Sequence, residues 1–249
     1  MPLVSIIMPT YNSSEFVLKS INSILSQTYL NFELLITDDC STDDTLSVLN
    51  SAALLNSKIK IFRLDVNSGA AIARNNSIEK ANGRYIAFCD SDDLWLPNKL
   101  ETQIEFMSKN QYPFTYTFYD VFYLDQFKNS VKPPLKLSFS DLLVKNHIGC
   151  LTVMYDVSMI GKIYMPLLRN RQDWGLWLLI IQKCNYAVCL GETLAIYNIR
   201  KSSISRSKFY LLKFHYKIYR EVMNFNYVKS VYYLSLNLCS ELLNKFSIL

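Results

Sequence analysis

The chain has 249 residues, half of them hydrophobic, with 26 Lys and Arg against 21 Asp and Glu and a net charge of +5. This size and composition suit one large α/β domain, or such a domain with a small appendage. No apolar run approaches the roughly 18 residues that span a bilayer. Six cysteines without a CxxC pair and only two histidines argue against a disulfide framework or a zinc site. The opening "MPLVSIIMPT" lacks the basic region of a signal peptide, so a cytosolic protein is expected.

The first hundred residues alternate short apolar runs with segments of helical periodicity. Strands are predicted at 3–8, 32–37, 58–64 and 84–89, and helices at 14–28, directly after residues 41–42, and at 69–81. Ser41 or Thr42 is expected to cap the second helix, with Asp43 and Asp44 in its first turn. This alternation predicts a parallel, doubly wound sheet that binds its ligand at the carboxyl ends of the strands.

Polar residues follow three of these strands, as "PTYN", "DD" and "DSDD". Each stretch alone is compatible with ordinary turn chemistry. Asp90 and Asp92 are two residues apart just past a strand, so their carboxylates are expected to point the same way. Mg²⁺ or Mn²⁺ would remove their repulsion, and such ions bind one or two carboxylates together with substrate phosphates. The pattern therefore predicts a metal-bound nucleotide diphosphate. No GxGxxG follows the first strand, which argues against a dinucleotide site.

The order and spacing of seven stretches resemble the inverting family 2 glycosyltransferases of bacterial surface-polysaccharide synthesis, which have the GT-A fold. The stretches are "VSIIMPTYN" (4–12), "SILSQTY" (23–29), "FELLITDDCSTDDT" (32–45), "NSGAAIARN" (67–75), "GRYIAFCDSDDLWLPNKLE" (83–101), "RQDWGLWL" (171–178) and "YNIRKSSIS" (197–205). The resemblance implies a Rossmann-like, mostly parallel central sheet flanked by helices. Residues 1–110 would form the donor half and 111–205 the acceptor and catalytic-base half of one domain, followed by a helical tail at 206–249.

The resemblance assigns the nucleotide-sugar site to the first half. Thr10 and Tyr11 would line the nucleobase pocket, and Asp39 would accept a hydrogen bond from the uracil ring. Arg74 would reach the nucleotide or its phosphates. A surface position for Arg74 and a turn-capping role for Asp39 are the structural alternatives.

The metal site would lie at "DSDD". Asp92 would bind Mn²⁺ or Mg²⁺ directly, and Asp90 would contact the ribose or the water shell of the metal. Asp93 is expected to cap the helix that follows.

The second half would supply the catalytic base and the acceptor site. The family places its catalytic carboxylate at Asp173, in a Glu-Asp pair whose first member is Gln172 here. Because Asp is a preferred helix N-cap, a purely structural role is the alternative. Arg171 and Trp174 are candidate acceptor contacts, whereas Trp177 has the spacing of a core residue. Arg200 stands where related sequences often have a histidine, and it is expected to pair with the diphosphate.

The tail carries all of the net charge, because residues 206–249 hold seven basic and two acidic side chains. Basic helices rich in aromatic residues suit an anionic membrane surface. The alternatives are a helical hairpin that completes the core and a contact in a homodimer. His215 is expected to pack rather than to react, and no nucleic-acid-binding motif indicates a nucleic-acid partner.

Two functions remain open from the sequence. The first is an inverting, metal-dependent hexosyltransferase that uses a UDP-sugar and a saccharide acceptor, linked to polyprenyl diphosphate, at the cytoplasmic face of the bacterial membrane. The second is a non-catalytic membrane- or nucleic-acid-binding α/β protein. Asp39, Asp92 and Asp173 favour the enzyme, because converging carboxylates would repel a polyanion.

Overall fold

A computed structural model describes residues 1–200 and 208–246, with side chains described up to residue 200 and for 211–241. The strands are β1 (Val4–Thr10), β2 (Phe32–Asp38), β3 (Ile59–Arg63), β4 (Tyr85–Phe88), β5 (Leu94–Trp95), β6 (Phe114–Tyr123), β7 (Gln126–Val131), β8 (Lys136–Ser138), β9 (Met154–Asp156) and β10 (Tyr186–Ile199). The helices are α1 (Val17–Leu25), α2 (Thr45–Leu55), α3 (Ala70–Lys80), α4 (Lys99–Asn110), α5 (Phe139–Val144), α6 (Val157–Ile160), α7 (Gln172–Cys184), α8 (Lys208–Lys217) and α9 (Tyr227–Phe246). The predicted α/β fold with a helical C-terminus is confirmed.

One sheet joins the two halves of the chain in the order β3-β2-β1-β4-β9-β6-β10-β5. The first four strands in this order are parallel, as predicted. In the second half β10 runs parallel to β6, whereas β9 pairs antiparallel with both β4 and β6. The carboxyl ends of β1, β2 and β4 therefore meet at one edge, which positions the polar stretches that follow them.

Helices cover both faces of the sheet. On one face α1, α2 and α4 pack over side chains such as Ile6 and Leu34, and on the other α3, α5 and α7 pack over side chains such as Ile7 and Phe88. Adjacent residues of β1 thus enter opposite cores, as the two-residue period of a strand requires. Trp177 is fully buried and packs edge-on against Phe88, so its predicted core position is confirmed.

The expected cap of α2 is wrong. The helix begins at Thr45, and Asp44 rather than Ser41 or Thr42 precedes its first residue. Asp43 accepts a hydrogen bond from the Thr45 backbone N–H, and its other carboxylate oxygen accepts one from the Ser14 hydroxyl. The loop after β2 is therefore held by contacts to the loop after β1, which a local capping pattern cannot predict.

The C-terminal helices pack on the body of the protein. A π-helical turn, Ile218–Val222, follows α8 directly and precedes α9. Tyr219 is fully buried and donates to the Leu143 carbonyl, and Asn237 donates to the Val144 carbonyl. His215 is 3% exposed and hydrogen-bonds Asn237, which confirms that it packs. The described part of the tail thus completes the core next to α5; residues 201–207 and 247–249 lie outside the described residues.

Candidate active site

The crowded aspartates are neutralised by two arginines from distant parts of the chain. Arg74 of α3 donates to Asp90, with its own side chain almost fully buried. Arg200, just past β10, places Nε 2.6 Å from Asp92 Oδ2 and stacks its guanidinium over the Phe16 ring. Asp90 and Asp92 therefore each have their own counter-charge.

Asp93, the third aspartate, is buried in the floor of the site. It does not cap α4, which begins after Asn98, so that expectation is wrong. Its carboxylate instead accepts a hydrogen bond from the Asn198 backbone N–H at 3.3 Å. Burial, and then the charges of Asp92 and Asp90, raise the pKa of Asp93 well above its ordinary value. Burial followed by Asp90 also raises the pKa of Asp92, against the opposing effect of Arg200.

A cavity of about 530 Å³ brings Asp173 and Arg74 together. Asp173 lies in the first turn of α7 and accepts a 3.4 Å hydrogen bond from the Asn146 side chain. Burial lowers the pKa of Arg74, but the nearby Asp90 and, to a smaller extent, Cys150 and Asp173 raise it above its ordinary value overall. Nε and Nη1 of Arg74 are buried without a hydrogen-bond acceptor among the described residues. These N–H groups can bind an anionic ligand in the cavity.

A second cavity, of about 540 Å³, lies between α1, the β6–β7 turn and the end of β10. Asp92 and Arg200 line it, together with Asn198, whose side chain donates to the Asp92 carbonyl. Within the described residues no three His, Cys, Asp or Glu side chains cluster as a ready-made metal site. Mg²⁺ and Mn²⁺ do not need such a cage, because waters and substrate phosphates complete their coordination.

The predicted nucleobase residues lie at the ends of β1 and β2. Thr10 is buried and bonds Asp38, whereas Tyr11 is 45% exposed. Both carboxylate oxygens of Asp39 accept backbone N–H groups, from Ser68 at 2.7 Å and from Gly69 at 2.8 Å. Asp39 therefore ties the end of β2 to the start of α3, which is the capping role considered from the sequence. The lone pairs that remain on its oxygens leave room for a further donor.

The two candidate acceptor residues occupy different environments. Trp174 is 1% exposed, donates to the Leu142 carbonyl and packs edge-on against His215. A core position thus leaves Trp174 no face for a sugar, so we do not include it in the proposed site. Arg171 lines the Asp173 cavity directly.

Sequence reasoning missed several residues that line this cavity. They are Tyr119, Cys150, Asn170 and Tyr197. All of them lie in the second half, and Tyr197 opens the stretch "YNIRKSSIS" without a role assigned to it. The pairing of β6 with β10 positions Tyr119 and Tyr197, whereas Cys150 begins a short 3-10 helix before β9 and Asn170 lies in the loop before α7.

Residues 5–158 match the family described as Glycosyl transferase family 2. The chain is 39% identical over 236 residues to the putative teichuronic acid biosynthesis glycosyltransferase TuaG of Bacillus subtilis, covering 93% of this chain and 92% of that one. It is also 39% identical over 234 residues to WfgD of Escherichia coli, covering 93% and 90%. WfgD is described as a UDP-Glc:α-D-GlcNAc-diphosphoundecaprenol β-1,3-glucosyltransferase. The chain therefore belongs to glycosyl transferase family 2.

The fold agrees with this assignment. The crystal structure of S. aureus TarS 1–349 in complex with UDP-GlcNAc superimposes with a TM-score of 0.74 at 21% identity, covering 96% of this chain and 72% of that one. The likeness supports the predicted GT-A fold. Membership of glycosyl transferase family 2, and not the likeness in fold, makes the non-catalytic binding protein the weaker of the two functions that the sequence left open.

Proposed function

We propose that this protein is an inverting glycosyltransferase that moves a hexose from a UDP-sugar to a saccharide acceptor. The hexose is glucose, galactose or an N-acetylhexosamine, and the acceptor is linked to polyprenyl diphosphate during O-antigen, capsule or lipopolysaccharide synthesis. The cavity that joins Asp173 to the Arg74–Asp90 pair carries this proposal. The printed activity of WfgD, with its UDP-glucose donor and diphosphate-linked acceptor, supports the substrate classes.

Asp173 acts as the general base in this proposal. Its carboxylate takes the proton from the acceptor hydroxyl as that oxygen attacks the anomeric carbon of the donor. The attacking oxygen forms the new glycosidic bond while the bond to the UDP oxygen breaks, so a single displacement inverts the anomeric configuration. Asn146 holds one oxygen of the base, and the free N–H groups of Arg74 stabilise the negative charge of the donor.

Asp92, with support from Asp90, would hold Mn²⁺ or Mg²⁺. Carboxylate oxygens are the ligands that these hard ions prefer, and Asp92 faces an open cavity. When bound, the ion supplies Lewis-acid stabilisation of the departing diphosphate. Because Arg200 already pairs with Asp92, the guanidinium has to move from that carboxylate toward the diphosphate oxygens, the role that the sequence predicts for it.

The nucleobase would lie against Thr10, Tyr11 and Asp39. The protein would act as a peripheral protein at the cytoplasmic face of the membrane, through the surface of its C-terminal helices. No helix in the described ranges is long and apolar enough to cross a membrane. The outer side of α9 exposes Tyr227, Val228, Val231 and Tyr232 beside Lys229, a combination suited to the membrane interface.

The test compares Asp173→Asn with Glu105→Gln, which neutralises an exposed carboxylate on α4. Loss of the base is expected to lower kcat roughly 100- to 10,000-fold, because the amide cannot accept the proton. The Kd for UDP, measured by calorimetry with Mn²⁺, is expected to stay within about threefold of wild type. Retention of most of the activity by Asp173→Asn would exclude this residue as the base.

A further inference from the structure

The segment before Asp173 carries three polar atoms that have no protein partner. Nδ2 of Asn170, Nε of Arg171 and Oε1 of Gln172 are all buried, and none has a hydrogen-bond partner among residues 1–200 and the described tail. All three side chains line the same cavity as Asp173. Consecutive buried polar atoms of this kind are unfavourable unless water or a ligand completes their hydrogen bonds.

The backbone at Arg171 is also held in a sparsely populated conformation. Its φ of 62° and ψ of 18° lie in the left-handed region, directly before the first residue of α7. For a residue other than glycine this costs about 1–2 kcal/mol. Such conformations concentrate at ligand sites, where the direction of the side chain matters more than local stability. Here the residue in this conformation is Arg171, two residues before the proposed base Asp173.

The two donors among these groups, on Asn170 and Arg171, suit an anion with several oxygen atoms, whereas Gln172 Oε1 is an acceptor. A guanidinium and an amide N–H₂ that line one cavity offer several donors, one of them positively charged, and such donors bind phosphate oxygens. The charge of Arg171, after burial, contributes to lowering the pKa of His215 on α8. The segment before Asp173 contributes two arginines to the cavity, Arg169 and Arg171, and Leu211 of the tail lines it as well.

The place of the anion follows from the place of the base. Under the proposed function the acceptor hydroxyl contacts Asp173, so the acceptor sugar lies against the start of α7. An acceptor whose anomeric carbon carries a diphosphate would place those phosphates one sugar ring away from the reacting hydroxyl. Under the proposed function the donor phosphates are assigned to Arg74, which lines this cavity, and to Arg200, which lines the neighbouring one.

We propose that Asn170 and Arg171 bind the diphosphate that links the acceptor sugar to its lipid. This inference rests on the proposed function and adds to it a subsite that selects charged acceptors. The carrier is then recognised mainly through its phosphates, next to the apolar Leu211 of the tail.

The test uses two synthetic probes that differ by the diphosphate between sugar and alkyl chain, octyl α-GlcNAc diphosphate and the neutral octyl α-GlcNAc glycoside. Calorimetry measures the Kd of each, in saturating UDP and Mn²⁺, for wild type, Arg171→Gln, Arg171→Lys and Lys183→Gln. Lys183→Gln is the matched control, because it removes an exposed cation from the other end of α7. Wild type and Lys183→Gln are expected to bind the diphosphate about 10- to 100-fold more tightly than the neutral glycoside. Arg171→Gln is expected to reduce this preference to less than about threefold, and Arg171→Lys to leave an intermediate preference.

The assignment of the subsite would be overturned if wild type and Arg171→Gln preferred the diphosphate probe over the neutral glycoside equally. It would also be overturned if wild type showed no such preference. UDP binding in the same samples keeps this outcome separate from a failure of the proposed function. If UDP binds and the charge preference is absent, only the subsite is wrong; if UDP does not bind, the proposed function fails as well.

Discussion

Lys99 is a fully buried cation under the aspartate loop, and it predicts a specific dependence of stability on pH. Its ammonium group donates to Gln103 at 2.8 Å and lies 4.1 Å from the centre of the Trp95 ring. No ion pair among the described residues includes it. Burial lowers the pKa of Lys99 to about 7, because a low-dielectric surrounding disfavours the charged form.

The size of the effect follows from that pKa. An unfolded lysine has a pKa of about 10.4, so the buried charge lowers the unfolding free energy by roughly 4 kcal/mol at pH 7 and by roughly 5 kcal/mol well below it. Between pH 7 and 10 the unfolded state holds a proton that the folded state lacks. Stability due to Lys99 therefore rises with pH through this window, by about 1.4 kcal/mol per pH unit.

Lys99→Met removes the titration but leaves Gln103 without this donor, which costs about 1–3 kcal/mol. We expect the variant to be more stable than wild type by about 1–3 kcal/mol at pH 7. The advantage should disappear near pH 9 and reverse above it. Urea unfolding, followed by circular dichroism at half-unit steps from pH 6 to 9.5, measures the difference in unfolding free energy between wild type and Lys99→Met. Cysteines and tyrosines titrate in both proteins, so their contributions cancel in this difference.

Lys109→Met, an exposed lysine on the same helix, is the control and should show neither change. Parallel pH curves for wild type and Lys99→Met would refute the reasoning, because they would mean that Lys99 keeps an ordinary pKa in the folded protein.

Three further variants test the fold and the donor site. Gly83→Ala should lower the unfolding free energy by at least about 1–3 kcal/mol in urea, because its Cβ would lie 2.5 Å from the Ser5 backbone nitrogen. Trp177→Ala should lower it by about 3–5 kcal/mol, measured in the same way, because the ring is fully buried; a loss below 1 kcal/mol would contradict this. Arg200→Met should bind UDP about 10- to 100-fold more weakly by calorimetry, yet bind Mn²⁺ alone more tightly, since no guanidinium competes for Asp92. An unchanged UDP affinity would exclude Arg200 as the phosphate partner.

The first half of the fold could be predicted because its signals are local. β1 to β4 are short apolar runs separated by helical periods, and their predicted bounds differ from the observed ones by at most two residues. The details that failed depend on contacts between distant segments. The start of α2 is set partly by the loop after β1, and Asp93 is held by Asn198, more than a hundred residues away.

The candidate site divides in the same way. The Asp90–Asp92 pair could be found from its crowding alone, but the arginines that neutralise it come from α3 and from the end of β10. No local pattern identifies them as partners of these aspartates. Trp174 stands next to Asp173, the proposed base, and an aromatic residue at such a position is typical of a contact with a sugar ring. Its indole is instead buried in the core.

The most direct test of the central claim is the product of the reaction itself. UDP-glucose, UDP-galactose and UDP-GlcNAc are each incubated with octyl α-GlcNAc diphosphate, Mn²⁺ and the purified protein, and the product is examined by mass spectrometry and by the anomeric proton coupling in NMR. We predict that one of the α-linked donors yields a disaccharide with a new β linkage, and that Asp173→Asn does not form it. A new α linkage would contradict the single displacement, and the absence of product from every donor would contradict the proposed transfer.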